Sequence, residues 1–172
     1  MFGLLKTIAD NSLQMKMPQW LLCIGLVLTA GPTFAAPSGC DLPEITGSRE
    51  LHQFLSLRAV EVVKRAANQD DGLATLIAPS ASFSLGAGDV GRPLGTGVDG
   101  ARELARTMNA DTYRFLGWDY MDMPADACSK WKVEVEFIDS NGKNVSRVEF
   151  AFESGRVVSA VGWERSYEAG RL

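Results

Sequence analysis

Between Ser48 and Gln69 the apolar residues Leu51, Phe54, Leu55, Val62, Val63 and Ala66 recur at spacings near three and four. That period puts them on one face of a long helix, with Ser48 placed to cap it. Asn68 to Gly72 breaks the pattern, and GLATLIA reads as a short second helix that stops at Pro79. SFSL is a brief strand, and Asp99 to Met108 a third helix, with Asp99 as cap and first-turn acid.

After Met108 the period changes to two. TYRFLGWDYMDM, KWKVEVEFID, VSRVEFAFES and RVVSAVGWERS alternate and are rich in Val, Phe, Trp and Tyr. In the second of these, Trp131, Val133, Val135 and Phe137 share one face, while Lys132, Glu134 and Glu136 share the other. One side is core and the other meets solvent. Ser140-Asn141-Gly142-Lys143 and Glu153-Ser154-Gly155-Arg156 read as hairpin turns. Helices followed by an antiparallel meander predict a single α+β domain over 48–168.

Ahead of this domain, Lys16 precedes the apolar run WLLCIGLVLTAGPTF, which ends in Ala35, Ala36 and Pro37. A positive start, a short apolar core and small residues at Thr33 and Ala35 predict a signal peptide over 1–36 and a tail over 37–47. Met15 and Met17 are alternative starts to Met1. The competing reading, a retained membrane anchor, asks for about 20 apolar residues, more than this run offers. The expectation is export across the inner membrane to the periplasm, with no membrane contact after cleavage.

Export changes the meaning of the three cysteines. Cys23 leaves with the signal segment, so Cys40 and Cys128 remain, and in an oxidising compartment they form a disulfide. Two free thiols or a metal site are the alternatives. Two cysteines and one histidine, His52, are too few for a closed zinc site, so no metal is expected. The 172 residues are 46% hydrophobic and 22% charged with a net charge of -4, an ordinary globular balance. The acidic balance argues against nucleic acid as a partner.

The order of elements resembles the nuclear-transport-factor-2-like superfamily, which includes ketosteroid isomerase and the SnoaL-like proteins. The stretches that carry the likeness are AANQDDGLATLIAPSASFSLG, GTGVDGARELARTM and VEVEFIDSNGKNVSRVEFAFESGRVVSAVGWE. The resemblance implies a curved antiparallel sheet around the long N-terminal helix, with two further helices and a conical pocket between them. It implies fold and pocket rather than activity, because this fold hosts many chemistries. Several proteins of this fold pair through their sheets, so a homodimer is an expectation as well.

The isomerase pattern, laid on this chain, puts its base at or near Leu85, its tyrosine near Glu61 and its second acid near Val148. None of the three matches. His52 is the only histidine, which removes any two-histidine scheme. If the pocket is enzymatic, the polar residues to inspect are His52, Asp119 and Asp122. The aromatic residues Phe54, Trp118, Tyr120, Phe137, Phe150 and Trp163 are core residues or the lining of an apolar pocket. Glu61, Arg147 and Arg165 are rim charges without an assigned role. Asn144-Val145-Ser146 matches a glycosylation sequon beside a hairpin.

GAGDVG, from Gly86 to Gly91, matches a dinucleotide-binding spacing but runs into RPLGTG, which no helix could thread through Pro93. It reads as a flexible crossing from the first strand to the third helix, and no cofactor is expected. The chain therefore reads as a non-catalytic binding or interaction module, taking a small apolar ligand or a protein. The alternative is a SnoaL-like lyase, isomerase or hydrolase acting on a small apolar substrate.

Overall fold

The computed structural model describes residues 39–45, 47–116 and 128–167. Helix α1 spans Ser48–Ala67, and a single turn, α2, spans Leu73–Leu76. Strands β1 (Ile77–Ala87) and β2 (Pro93–Thr96) follow, then helix α3 (Gly97–Met108). Strand β3 (Ala110–Leu116) leads to β4 (Trp131–Asp139), β5 (Asn144–Glu153) and β6 (Arg156–Ser166). Among the described residues these strands form one open sheet in the order β2-β1-β6-β5-β4-β3.

The sheet is mixed, which corrects the expectation of an all-antiparallel one. β1 and β6 run parallel, with Phe83 opposite Ala160 and Leu85 opposite Gly162. The reason lies in the path of the chain. The meander β3-β4-β5-β6 starts at the far edge and crosses the sheet in antiparallel steps. The last strand reaches β1 running in the same direction. Alternation within each strand is the same for parallel and antiparallel pairing, so the periodicity carried no sign of this.

Local boundaries moved for physical reasons. Ser48 is the first helical residue of α1, and Gly47 occupies the cap position without a side-chain bond. The second helix ends at Leu76 because Ile77 is already extended, and β1 runs eleven residues rather than four. Pro79, which cannot donate to a ladder, sits where the pairing of β1 with β6 shifts register between Ile77 and Ser82. The third helix starts two residues before Asp99, which stands in its first turn, where an acid meets the positive end of the helix dipole.

GAGDVG is the turn of a β-hairpin rather than a plain crossing. Ala87 and Val90 exchange backbone hydrogen bonds, and Leu85 N–H donates to the Arg92 carbonyl at 3.0 Å. RPLGTG then supplies β2, which pairs antiparallel with β1 at Ser82–Thr96 and Phe83–Gly95. Gly100 of α3 lets the helix lie against this strand, since a Cβ there would sit 2.6 Å from the Gly95 carbonyl carbon.

The core lies between the helices and one face of the sheet. Leu51, Leu55 and Val62 of α1 and Leu104 of α3 meet Phe83, Val133, Val135, Val148, Phe150 and Phe152. Both predicted hairpin turns form. Gly142, at φ +66, donates to the Asp139 carbonyl at 3.0 Å, and Ser154 and Gly155 both take positive φ. Two consecutive left-handed residues make a turn whose twist suits the flanking strands.

The segment before α1 was expected to be a tail, but it is packed. Cys40 and Cys128 are joined by a disulfide, with Cα atoms 5.6 Å apart and a sequence separation of 88. Asp41 N–H donates to the Ser154 carbonyl at 2.9 Å, and Ser154 N–H to that of Cys128 at 2.8 Å. Arg58 of α1 donates to the carbonyls of Asp41 and Gly155, both at 2.7 Å. A Cβ on Gly155 would lie 2.5 Å from the Asp41 carbonyl oxygen, so the strap needs glycine at that turn. Leu42 and Ile45 then reach the core. The Cys40→Ser variant is expected to unfold at lower urea, losing about 2–4 kcal/mol with native far-ultraviolet circular dichroism retained before the transition. Unfolding curves that coincide with those of the oxidised protein would contradict a stabilising bridge.

Candidate functional site

Because residues alternate along β4, β5 and β6, each position is assigned to one face of the sheet. Phe137 and Phe150 face the helices, 3% and 0% exposed, with ring centres 6.2 Å apart in an edge-to-face contact. Phe54 of α1 is half-buried against the same core, and the Arg58 guanidinium lies 4.7 Å from its ring centre. These three of the expected pocket aromatics are packed as core. Trp118, Tyr120, Asp119 and Asp122 lie outside the described residues.

Trp163 belongs to the other face. Its neighbours along β6, Ala160 and Gly162, pair with Phe150 and Val148 and point inward, so Trp163, opposite Arg147, points out. It is 46% exposed. The structure therefore separates Trp163 from Phe137 and Phe150 by the thickness of the sheet. The same alternation was visible in RVVSAVGWERS, but a strand with Gly, Ala and Trp gives no indication of which side is apolar.

Around Trp163 the outer face forms a shallow groove of about 390 Å³, lined by Glu134, Arg147, Glu149, Val161, Trp163 and Arg165. Glu134 and Glu149 stand directly opposite each other on β4 and β5, a repulsive arrangement by itself. Diagonal cations offset it. Lys132 Nζ reaches Glu149 at 2.7 Å, and Arg147 Nε reaches Glu134 at 3.0 Å. Arg114 and Glu136 add a third ion pair one strand further out. The face is thus a balanced lattice of charges with one large aromatic group among them.

His52 lies on the inner side of α1, 8% exposed, with Ser56 Oγ at 3.4 Å from its Nδ1. Burial pushes its pKa below 6.5, so the ring is neutral at physiological pH. Leu85 and Val148, where the isomerase pattern places acids, are buried in the core, and Glu61 is paired with Arg65 at 2.6 Å. Among the described residues no group of three or more His, Cys, Asp or Glu is placed to hold a metal ion. No helix among them is long and apolar enough to cross a membrane. The sequon residue Asn144 is already engaged, donating to Asp139 Oδ2 and accepting from Ser166 Oγ, both at 2.9 Å.

The sequence matches no protein-family model and no curated protein. Solved structures with a similar chain path include a nuclear-transport-factor-2-like protein of unknown function from Shewanella baltica OS155. It is 10% identical over 73% of this chain and 100% of that one, with a TM-score of 0.45. A phenazine biosynthesis-related protein from Pseudomonas aeruginosa is 12% identical, covering 73% of this chain and 83% of its own, with a TM-score of 0.40. A protein of unknown function with a cystatin-like fold from Methylobium petroleophilum PM1 is 15% identical over 76% and 84%, also at 0.40. At these identities the similarity concerns the path of the chain and says nothing about activity.

The buried, neutral state of His52 has a consequence for stability. A folded-state pKa below the unfolded one means the unfolded chain takes up the proton first as pH falls. The stability that depends on neutral His52 is present above about pH 6.5 and declines as the pH drops through and below that value. Urea midpoints are expected to fall between neutral and mildly acidic pH in the wild type and to fall less in His52→Gln. Equal pH dependence in the two proteins would show that His52 protonates as easily folded as unfolded.

Proposed function

We propose that the chain is an exported, non-catalytic interaction module that pairs with a second copy of itself through the outer face of its sheet. The observation that carries this reading is the exposed ring of Trp163 on the charge-balanced groove of β4, β5 and β6. A large exposed aromatic group on a structured face is the residue type most often found at the centre of protein contacts. The surrounding charges favour a copy of the same surface as the occupant. Cations and acids alternate across the groove, so a two-fold axis near Trp163 brings the acids of one copy to the cations of the other.

The small-ligand version has less support, since Phe137 and Phe150, which were expected to line its pocket, lie in the dry core. Export fits the disulfide between Cys40 and Cys128, a bond that persists in oxidising compartments. A second reading, the SnoaL-like lyase, isomerase or hydrolase, draws on one observation, the burial of His52 beside Ser56. Leu85 and Val148 do not support it, because neither offers an acid or a base.

Sedimentation velocity of the oxidised protein over a range of concentrations tests the proposal. The wild type is expected to sediment as a dimer and Trp163→Ala as a monomer at the same concentration. Truncation at such a contact costs about 2 kcal/mol or more, roughly 30-fold in dissociation constant. A wild-type monomer, or a dimer unaffected by Trp163→Ala, would overturn the proposal.

A further inference from the structure

Trp163 is the first rung of a short ladder on the outer face. Trp163, Arg165 and Tyr167 stand at alternate positions, so all three project from the same side of the sheet. Tyr167 lies just beyond β6, and its N–H donates to the Lys143 carbonyl at 2.7 Å, which continues the pairing of β5 with β6. It is 53% exposed. Tyr167 also acts electrostatically on Arg114, an outer-face residue of β3 opposite Glu136, which agrees with this placement. By the same alternation Lys143 shares the face with Arg147 and Glu149.

We propose that the two copies pair about a two-fold axis that crosses β6 at right angles to the strands, between Trp163 and Arg165. This register rests on the sheet-to-sheet pairing proposed above and specifies which residues meet. Each Arg165 guanidinium covers the Trp163 ring of the other copy, and each Tyr167 meets Val161. One strand over, Glu149 meets Lys143, because Glu149 stands beside Val161 and Lys143 beside Tyr167. Each contact occurs twice by symmetry.

Arg165 decides where the axis lies. The other groove and neighbouring cations are engaged, Lys132 by Glu149, Arg147 by Glu134 and Arg114 by Glu136. Arg165 is exposed on the groove and makes no ion pair among the described residues, and the same holds for the Lys143 ammonium. A guanidinium over an indole face is attracted by the ring quadrupole, more strongly once water is excluded. The proposed axis therefore gives both unengaged cations a partner. An axis along the strands, between β5 and β6, sets Trp163 on Arg147, which Glu134 already holds, and Arg165 on Val145.

The charges around the ladder agree with this choice. Glu149 stands directly opposite Glu134, so a second cation arriving at Glu149 reduces the repulsion between the two acids. No like charges are brought face to face, since Arg147 meets Val145 and Glu136 meets Ile138. Strand alternation thus makes the face complementary to itself in aromatic, apolar and charged contacts at once.

Charge exchange between Lys143 and Glu149 tests the register. Within one chain these residues are six positions apart along one strand, about 20 Å, too far to pair. In sedimentation velocity, Glu149→Lys and Lys143→Glu are each expected to weaken the dimer by about 10-fold, and the double exchange to return it to within about 3-fold of wild type. A second measurement needs no loss of affinity. With the Cys40–Cys128 bridge formed first, Val161→Cys combined with Tyr167→Cys is expected to give a covalent dimer on mild oxidation, and neither substitution alone is. A wild type that stays monomeric overturns the pairing and this register with it. A dimer that Trp163→Ala disrupts, with no rescue by the double exchange and no covalent dimer, leaves the pairing in place and overturns the register.

Discussion

Packing of helices α1 and α3 on each other and on the inner face of the sheet is the contact on which the remaining structure depends. Leu51, Leu55, Ala59, Val62 and Ala66 form a stripe that removes from water the inward residues of the sheet, Val133, Val135, Val148 and Phe150. Each large apolar side chain so buried stabilises the fold by about 1.5–3 kcal/mol, before the cost of ordering it. Once that face is dry, alternation leaves no freedom elsewhere. The partners of these residues along each strand must face away, and that forces Lys132, Glu134, Glu149 and Trp163 onto the outside. A slip of one residue in β6 would turn Trp163 inward and leave Ala160 and Gly162 on the surface.

The same constraint explains what was legible in the sequence and what was not. The long helix, the alternation of KWKVEVEFID and the two Gly-containing hairpins were readable, because each follows from local spacing or from glycine's tolerance of positive φ. The Cys40–Cys128 bridge was readable from cysteine count and the reading of export. The parallel pairing of β1 with β6 was not, because side-chain periodicity is the same for either direction. Nor was strand β2. Pro93, Gly95 and the neighbouring glycines resemble a loop by composition, and only their pairing with Ser82 and Phe83 makes them an edge strand. Glycine-rich stretches specify register weakly, so the tertiary partner decides. Trp163 was named for a pocket and stands outside the core.

The strap between Cys40 and α1 joins these levels. It is held covalently at Cys128, by backbone bonds at the turn after β5, and by Arg58, which reaches from the middle of α1 to both segments. The turn at Ser154-Gly155 is therefore a junction of helix, sheet and strap as well as a hairpin. Gly155 is required there twice, for its positive φ and for the closeness of the Asp41 carbonyl.

Two surfaces emerge with different chemistry. The outer sheet face is broad, balanced in charge and aromatic at its centre. The α1–α3 cleft is lined by small apolar side chains together with charged and carboxamide groups. Pairing through the sheet is the central claim, and Trp163 reports on it directly. In protein labelled with 5-fluorotryptophan, the fluorine resonance of Trp163, identified by its loss in Trp163→Phe, can be followed on dilution from millimolar to low micromolar concentration. A Trp163 resonance that moves on dilution while that of buried Trp131 stays fixed is the predicted result. A Trp163 resonance that holds one position across the range, at the shift of a solvent-exposed ring, would contradict the account.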